Sequence, residues 1–72
     1  MFDLGNHLRN LRNDKSLTQK QVAEMINAGL RNYIRYETNA RKPSYEFLIA
    51  LADLYDVSLD YLVGRSDEPE KR

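Results

Sequence analysis

Arg31 and Arg35 offer the clearest chemistry in this chain: two guanidiniums four positions apart in the stretch GLRNYIRYE, from Gly29 to Glu37. On a helix turning about 100° per residue they fall roughly 160° from Tyr33, so one face is apolar and the opposite face cationic. Like charges at i and i+4 repel by about 0.2–0.5 kcal/mol in an isolated helix, and an anion waiting outside would account for their placement. The plain alternative is a solvated face, and this segment alone does not separate the two.

Other chemistries find little to work with. The chain has one histidine and no cysteine, which excludes a disulfide framework and a thiolate metal site. No glycine-rich phosphate loop or paired catalytic carboxylates stand out, and a domain of 72 residues leaves little room for an enzyme pocket. His7 has no second ligand residue and is expected to be a surface side chain. No metal, cofactor or small-molecule ligand is implied.

The net charge is zero, yet its distribution is uneven. Residues 1–42 carry eight cationic and four anionic side chains, net +4, whereas residues 43–72 carry three and seven, net −4. One end is suited to a polyanion and the other to something else, unless the segregation is chance. No apolar run approaches the roughly 18 residues of a membrane span, and Asp3 stands where a signal peptide would be basic. A soluble, cytoplasmic protein is expected.

The elements that must hold Arg31 and Arg35 in place are legible as five helices in an all-α fold. Asp3 caps a first helix from about Leu4 to Asp14, with Leu4, Leu8 and Leu11 inward. Thr18 to Gln21 reads as a capping box opening a second helix, whose inner face is Val22, Ala23 and Ile26. It should end at Asn27, a residue suited to the left-handed region, and Ala28-Gly29 turns the chain into the third helix. Two helices joined this closely form a helix-turn-helix unit. In the loop TNARKP, Asn39 suits a left-handed position and Pro43 keeps Lys42 out of a helix. Ser44 caps a fourth helix at the centre of the core, carrying Phe47, Leu48, Leu51, Ala52 and Tyr55. Ser58 caps a short fifth helix holding Leu59, Leu62 and Val63, and Gly64 ends it. The expected domain spans residues 1–65, and residues 66–72 read as a charged, frayed tail.

LTQKQVAEMINAGLRNYIRYE followed by TNARKPSYEFLIALADLYDVSLDYLVG, with LGNHLRNLR before it, resembles the Cro and phage-repressor type helix-turn-helix family of transcriptional regulators. The resemblance runs from about Leu4 to Gly64. It rests on LTQ opening the second helix, Ala23 within it, Tyr36-Glu37 closing the third and Pro43 before the fourth. It implies a compact, lambda-repressor-like domain of five helices, the third in the major groove of DNA, and usually a symmetric homodimer. This sequence departs from the family in having Asn27 for the usual turn glycine and Gly29 where a serine or threonine cap is common. Tyr33 replaces a buried aliphatic residue; its ring should enter the core while its hydroxyl seeks an edge or water.

Glu37 lies about 40° from Tyr33, on the inner side of the third helix, where an unpaired carboxylate would be costly. Arg12 is the expected partner, a pairing the resemblance also implies, with an architectural role.

On this reading Thr18 and Gln19 lie near a phosphate, while Leu30, Arg31, Ile34 and Arg35 face base edges. Each arginine can donate two hydrogen bonds to guanine, worth about 1–3 kcal/mol of discrimination. Thr38, Arg41 and Lys42 are candidates for further phosphate contacts. Two copies would bind the half-sites of an inverted-repeat operator about 34–36 Å apart. Tyr61 and Leu62 are candidates for the dimer surface, unless both are core. The competing reading keeps the fold and makes it a protein-interaction module, antitoxin- or adaptor-like.

Overall fold

The computed structural model describes residues 2–70, so Lys71 and Arg72 of the expected tail lie outside the described residues. Among the described residues there are five helices and no strand: α1 (Leu4–Asp14), α2 (Gln19–Met25), α3 (Leu30–Glu37), α4 (Tyr45–Tyr55) and α5 (Leu59–Leu62). No helix is long and apolar enough to cross a membrane.

Side-chain caps explain where four of these helices begin. The Asp3, Thr18, Ser44 and Ser58 side chains each accept from the backbone N–H three residues on. At Thr18 the exchange is reciprocal, since its own N–H donates to Gln21 Oε1 at 2.8 Å. α3 is the exception, because Gly29 offers no side chain to cap it. Left-handed residues close the turns. Asn27 (φ 61°) ends the α2 turn, Asn39 (φ 62°) shapes the loop after α3 and Asp56 (φ 54°) terminates α4. Asparagine and aspartate tolerate this region because their short polar side chains bond locally.

The core joins Leu8 of α1, Val22, Ala23 and Ile26 around α2, Tyr33 and Tyr36 of α3, Leu51, Ala52 and Tyr55 of α4, then Val57 and Leu62. α3 lies against both α1 and α2, while α5 packs on α4 and α1. The close crossing of α1 and α3 depends on Gly5, which is buried. A Cβ there would meet the Glu37 carbonyl carbon at 2.7 Å.

Four expectations need correction. Leu62 is fully buried, so it offers no surface to a second copy; its place on the inner side of α5 makes it core. The Tyr33 ring is in the core, but its hydroxyl is buried too and reaches neither an edge nor water. Among the described residues it sits near Glu37 and Tyr55 without a well-formed hydrogen bond. His7 is half-buried, its ring edge-to-face with Phe2 at 5.4 Å and with Tyr61 at 5.0 Å. Segment 66–70 turns back: the Ser58 N–H donates to the Pro69 carbonyl at 2.9 Å.

Candidate nucleic-acid interface

α3 has two faces of opposite character. Tyr33, Tyr36 and Glu37 point into the protein, whereas Leu30, Arg31 and Arg35 are exposed. Ile34, between them, is half-buried. Of the four residues assigned to base edges, three therefore stand free on one face and the fourth contributes only part of its side chain. Among the described residues no ion pair engages Arg31, Arg35, Arg41 or Lys42. Their charge is directed outward, toward whatever approaches.

The orientation of α3 is fixed at its C-terminal end. Glu37 is 1% exposed, and its carboxylate is gripped by Arg12 through Nε to Oε2 at 2.7 Å and Nη2 to Oε1 at 3.2 Å. Arg12 also donates from Nη1 to the Leu17 carbonyl at 3.0 Å, which ties α1 to the turn before α2. Arg9 adds a longer ion pair at 3.9 Å and donates to the Glu37 carbonyl at 3.3 Å. Burial alone would raise the Glu37 carboxyl, but hydrogen bonds from Arg12 and Gln19 outweigh it and hold the group below its ordinary value. It stays ionised as a structural anchor.

Gln19 turns toward this anchor. Its Nε2 donates to Glu37 Oε1 at 3.2 Å and the residue is half-buried. One amide hydrogen is thereby committed inward, which leaves the second for any phosphate. Thr18 is exposed; its hydroxyl oxygen accepts from the Gln21 N–H at 3.0 Å, and the hydroxyl hydrogen can still be donated.

After α3, the backbone is drawn back onto the helix end. The Arg35 carbonyl accepts from the Ala40 N–H at 2.9 Å, the Arg41 N–H at 3.2 Å and the Thr38 hydroxyl at 3.3 Å. Thr38, Arg41 and Lys42 are all exposed, and buried Pro43 closes the loop beneath them. Leu30, Arg31 and Arg35 are thus exposed on a helix whose C-terminal end is bonded to this basic loop.

Two contributors were not identified from the sequence, Gly5 and the bridging role of Asn39. The Asn39 Oδ1 accepts from the Gly5 N–H at 2.9 Å, and its Nδ2 donates to Asp3 Oδ1 at 2.8 Å. The loop is therefore pinned to the start of α1. A glycine in the first turn of a helix is a poor helix former, and that mismatch was the available signal of a close approach.

A helix-turn-helix family model matches residues 8–62. Among curated relatives, the HTH-type transcriptional regulator YobD of Bacillus subtilis is 43% identical over 65 residues, 90% of this chain and 58% of that protein. The HTH-type transcriptional regulator ImmR of the same organism is 40% identical over 70 residues, 97% of this chain and 55% of that protein. The chain thus spans little more than half the length of these relatives. Its fold is that of the P22 c2 repressor, solved in complex with a synthetic operator, at a TM-score of 0.84 and 23% identity, with 92% of this chain and all of that one covered.

Proposed function

This chain belongs to the helix-turn-helix family, and from that premise we propose that it is a sequence-specific double-stranded DNA-binding regulator that acts in the cytoplasm by binding rather than by catalysis. The observation that carries the reading is the pair of guanidiniums, Arg31 and Arg35, exposed on α3 opposite its buried face and without an ion pair among the described residues. α3 enters the major groove, where each guanidinium can fork onto guanine O6 and N7. Leu30, and the exposed part of Ile34, contact thymine methyl groups. Thr18, Gln19, Thr38, Arg41 and Lys42 bind phosphates and set the register without reading sequence.

A single domain of this size spans too few base pairs to be selective in a genome. Two copies on an inverted repeat, with centres about 34–36 Å apart, supply the remaining contacts. With Leu62 committed to the core, Tyr61 is the remaining candidate for the homodimer surface. Occupying an operator that overlaps a promoter excludes polymerase, so repression is the simplest regulatory outcome.

Selection of bound sequences from randomised duplex DNA at moderate salt tests this. An enriched inverted repeat with at least one guanine per half-site is the expected result. Absence of enrichment from a folded, concentrated sample would overturn the reading.

A further inference from the structure

The loop after α3 is held from two sides. On one, the Arg35 carbonyl accepts from Ala40, Arg41 and Thr38. On the other, the side chain of Asn39 reaches the start of α1, to partners 34 and 36 residues earlier in the chain. Its Oδ1 accepts from the Gly5 N–H, one of the first-turn donors that a helix leaves without an intrahelical partner. Its Nδ2 donates to Asp3 Oδ1, the same oxygen that caps α1 by accepting from the Asn6 N–H at 2.9 Å. One exposed amide therefore completes the cap of α1 and fastens the loop to it.

Backbone conformation alone does not call for asparagine here. At φ 62° glycine is the least strained residue, so what asparagine adds is its side chain. Gly5 provides the space for that side chain, since a Cβ there would stand 2.9 Å from Asn39 Oδ1. Asp3 responds to the bond as an ionised group: the Asn6 N–H and then the Asn39 amide hold its carboxyl below the ordinary value near 3.8.

We infer that Asn39 is a positioning residue for DNA binding: by joining the loop to α1, it holds Arg41 and Lys42 where they meet phosphates. The inference rests on the reading of this chain as a DNA-binding regulator and deepens it. Arg41 and Lys42 are exposed and engage in no ion pair among the described residues, so their placement follows the backbone that carries them. A cation presented from a fastened loop loses less freedom on binding than one from a loop attached at α3 alone.

The full chain and its variants are titrated with a selected duplex and with an unrelated one, and urea unfolding follows the stability of each. Asn39→Gly keeps the left-handed backbone and removes both bonds. It is expected to weaken both duplexes by about fivefold to tenfold. In that background Lys42→Ala adds less than it does in the parent chain, whereas Arg31→Ala costs the same in both. Asn39→Asp sets a carboxylate against Asp3 and also weakens binding. Adding Asp3→Asn exchanges amide and carboxylate, restores the parent net charge and the bond between the two side chains, and recovers the affinity.

The inference is overturned if Asn39→Gly lowers stability but leaves affinity unchanged, or if Lys42→Ala costs the same with and without the Asn39 side chain. It is also overturned if the exchanged pair folds and does not recover binding, which would make the Asn39 amide a direct DNA ligand. Should Asn39→Gly fail to fold, the exchanged pair decides alone. A parent chain that binds neither duplex overturns the DNA reading and this inference with it, whereas a parent that binds and variants that match it overturn only the positioning role.

Discussion

Arg12 and Glu37, 25 residues apart in the chain, are joined by a two-pronged hydrogen bond in which the carboxylate is 1% exposed and the guanidinium side chain 14%. The pair makes the position of α3 a property of α1. Removing Arg12 leaves a buried carboxylate whose remaining partners, Gln19 and the distant Arg9, do not replace the lost charge. Arg12→Ala is expected to destabilise the domain by about 3–5 kcal/mol, the scale for breaking a buried pair from one side. Thermal and urea unfolding measure it, and an unchanged melting temperature would refute the anchoring role.

The same carboxylate predicts how acid acts. Glu37 is held below its ordinary value near 4.5, so the unfolded chain takes up the proton first. The stabilisation is complete above about pH 4.5 and is lost as pH falls through the depressed folded value. Glu37→Gln should show a smaller change in melting temperature between about pH 5 and about pH 3 than the parent chain. An equal change would assign acid sensitivity to other groups.

His7 acts with the same sign in a higher window. Burial lowers it below its ordinary 6.5, partly opposed by the Tyr61 backbone, so the folded chain favours the neutral ring. Stability should decline as pH drops below about 6.5, and the ring nitrogen Nε2 is buried with no hydrogen-bond partner among the described residues. His7→Phe keeps the aromatic contacts with Phe2 and Tyr61 and removes the titration. Its melting temperature should stay flat across the interval where that of the parent chain falls.

Base reading and phosphate binding should separate by mutation. Arg31→Ala and Arg35→Ala are each expected to cost about 1–3 kcal/mol on the selected sequence and to relax preference at one position. Lys42→Ala should weaken all duplexes alike and reduce the salt slope by about one counterion. Titrations of matched and mismatched duplexes at several salt concentrations distinguish the two patterns. A sequence-dependent loss for Lys42→Ala, or a uniform one for Arg31→Ala, would reverse the assignments.

What the sequence made legible was mostly local. The caps at Asp3, Thr18, Ser44 and Ser58, and the left-handed Asn27 and Asn39, follow from how short polar side chains bond to nearby backbone. The Arg12–Glu37 contact was readable because a charge on an inward face demands a partner. Position in three dimensions was harder to infer. Gly5 looked like a weak helix residue, and its meaning appears only when Glu37 passes over it. Leu62 and Tyr61 are adjacent, yet one is core and the other meets His7 edge-to-face, since neighbours on a helix point about 100° apart. The return of segment 66–70 rests on backbone groups of Ser58 and Pro69, which side-chain patterning does not report.

The Arg35 carbonyl accepts from Ala40, Arg41 and Thr38, so the basic loop is tied by hydrogen bonds to the end of α3. The span between a guanidinium on α3 and a cation on the loop is therefore set by the protein. A duplex whose backbone lies at a different spacing has to deform to fit both, and the work of deforming it depends on base steps the protein never touches. Operators that share every contacted base should still differ in affinity, ranked by how readily the DNA between the contacts bends.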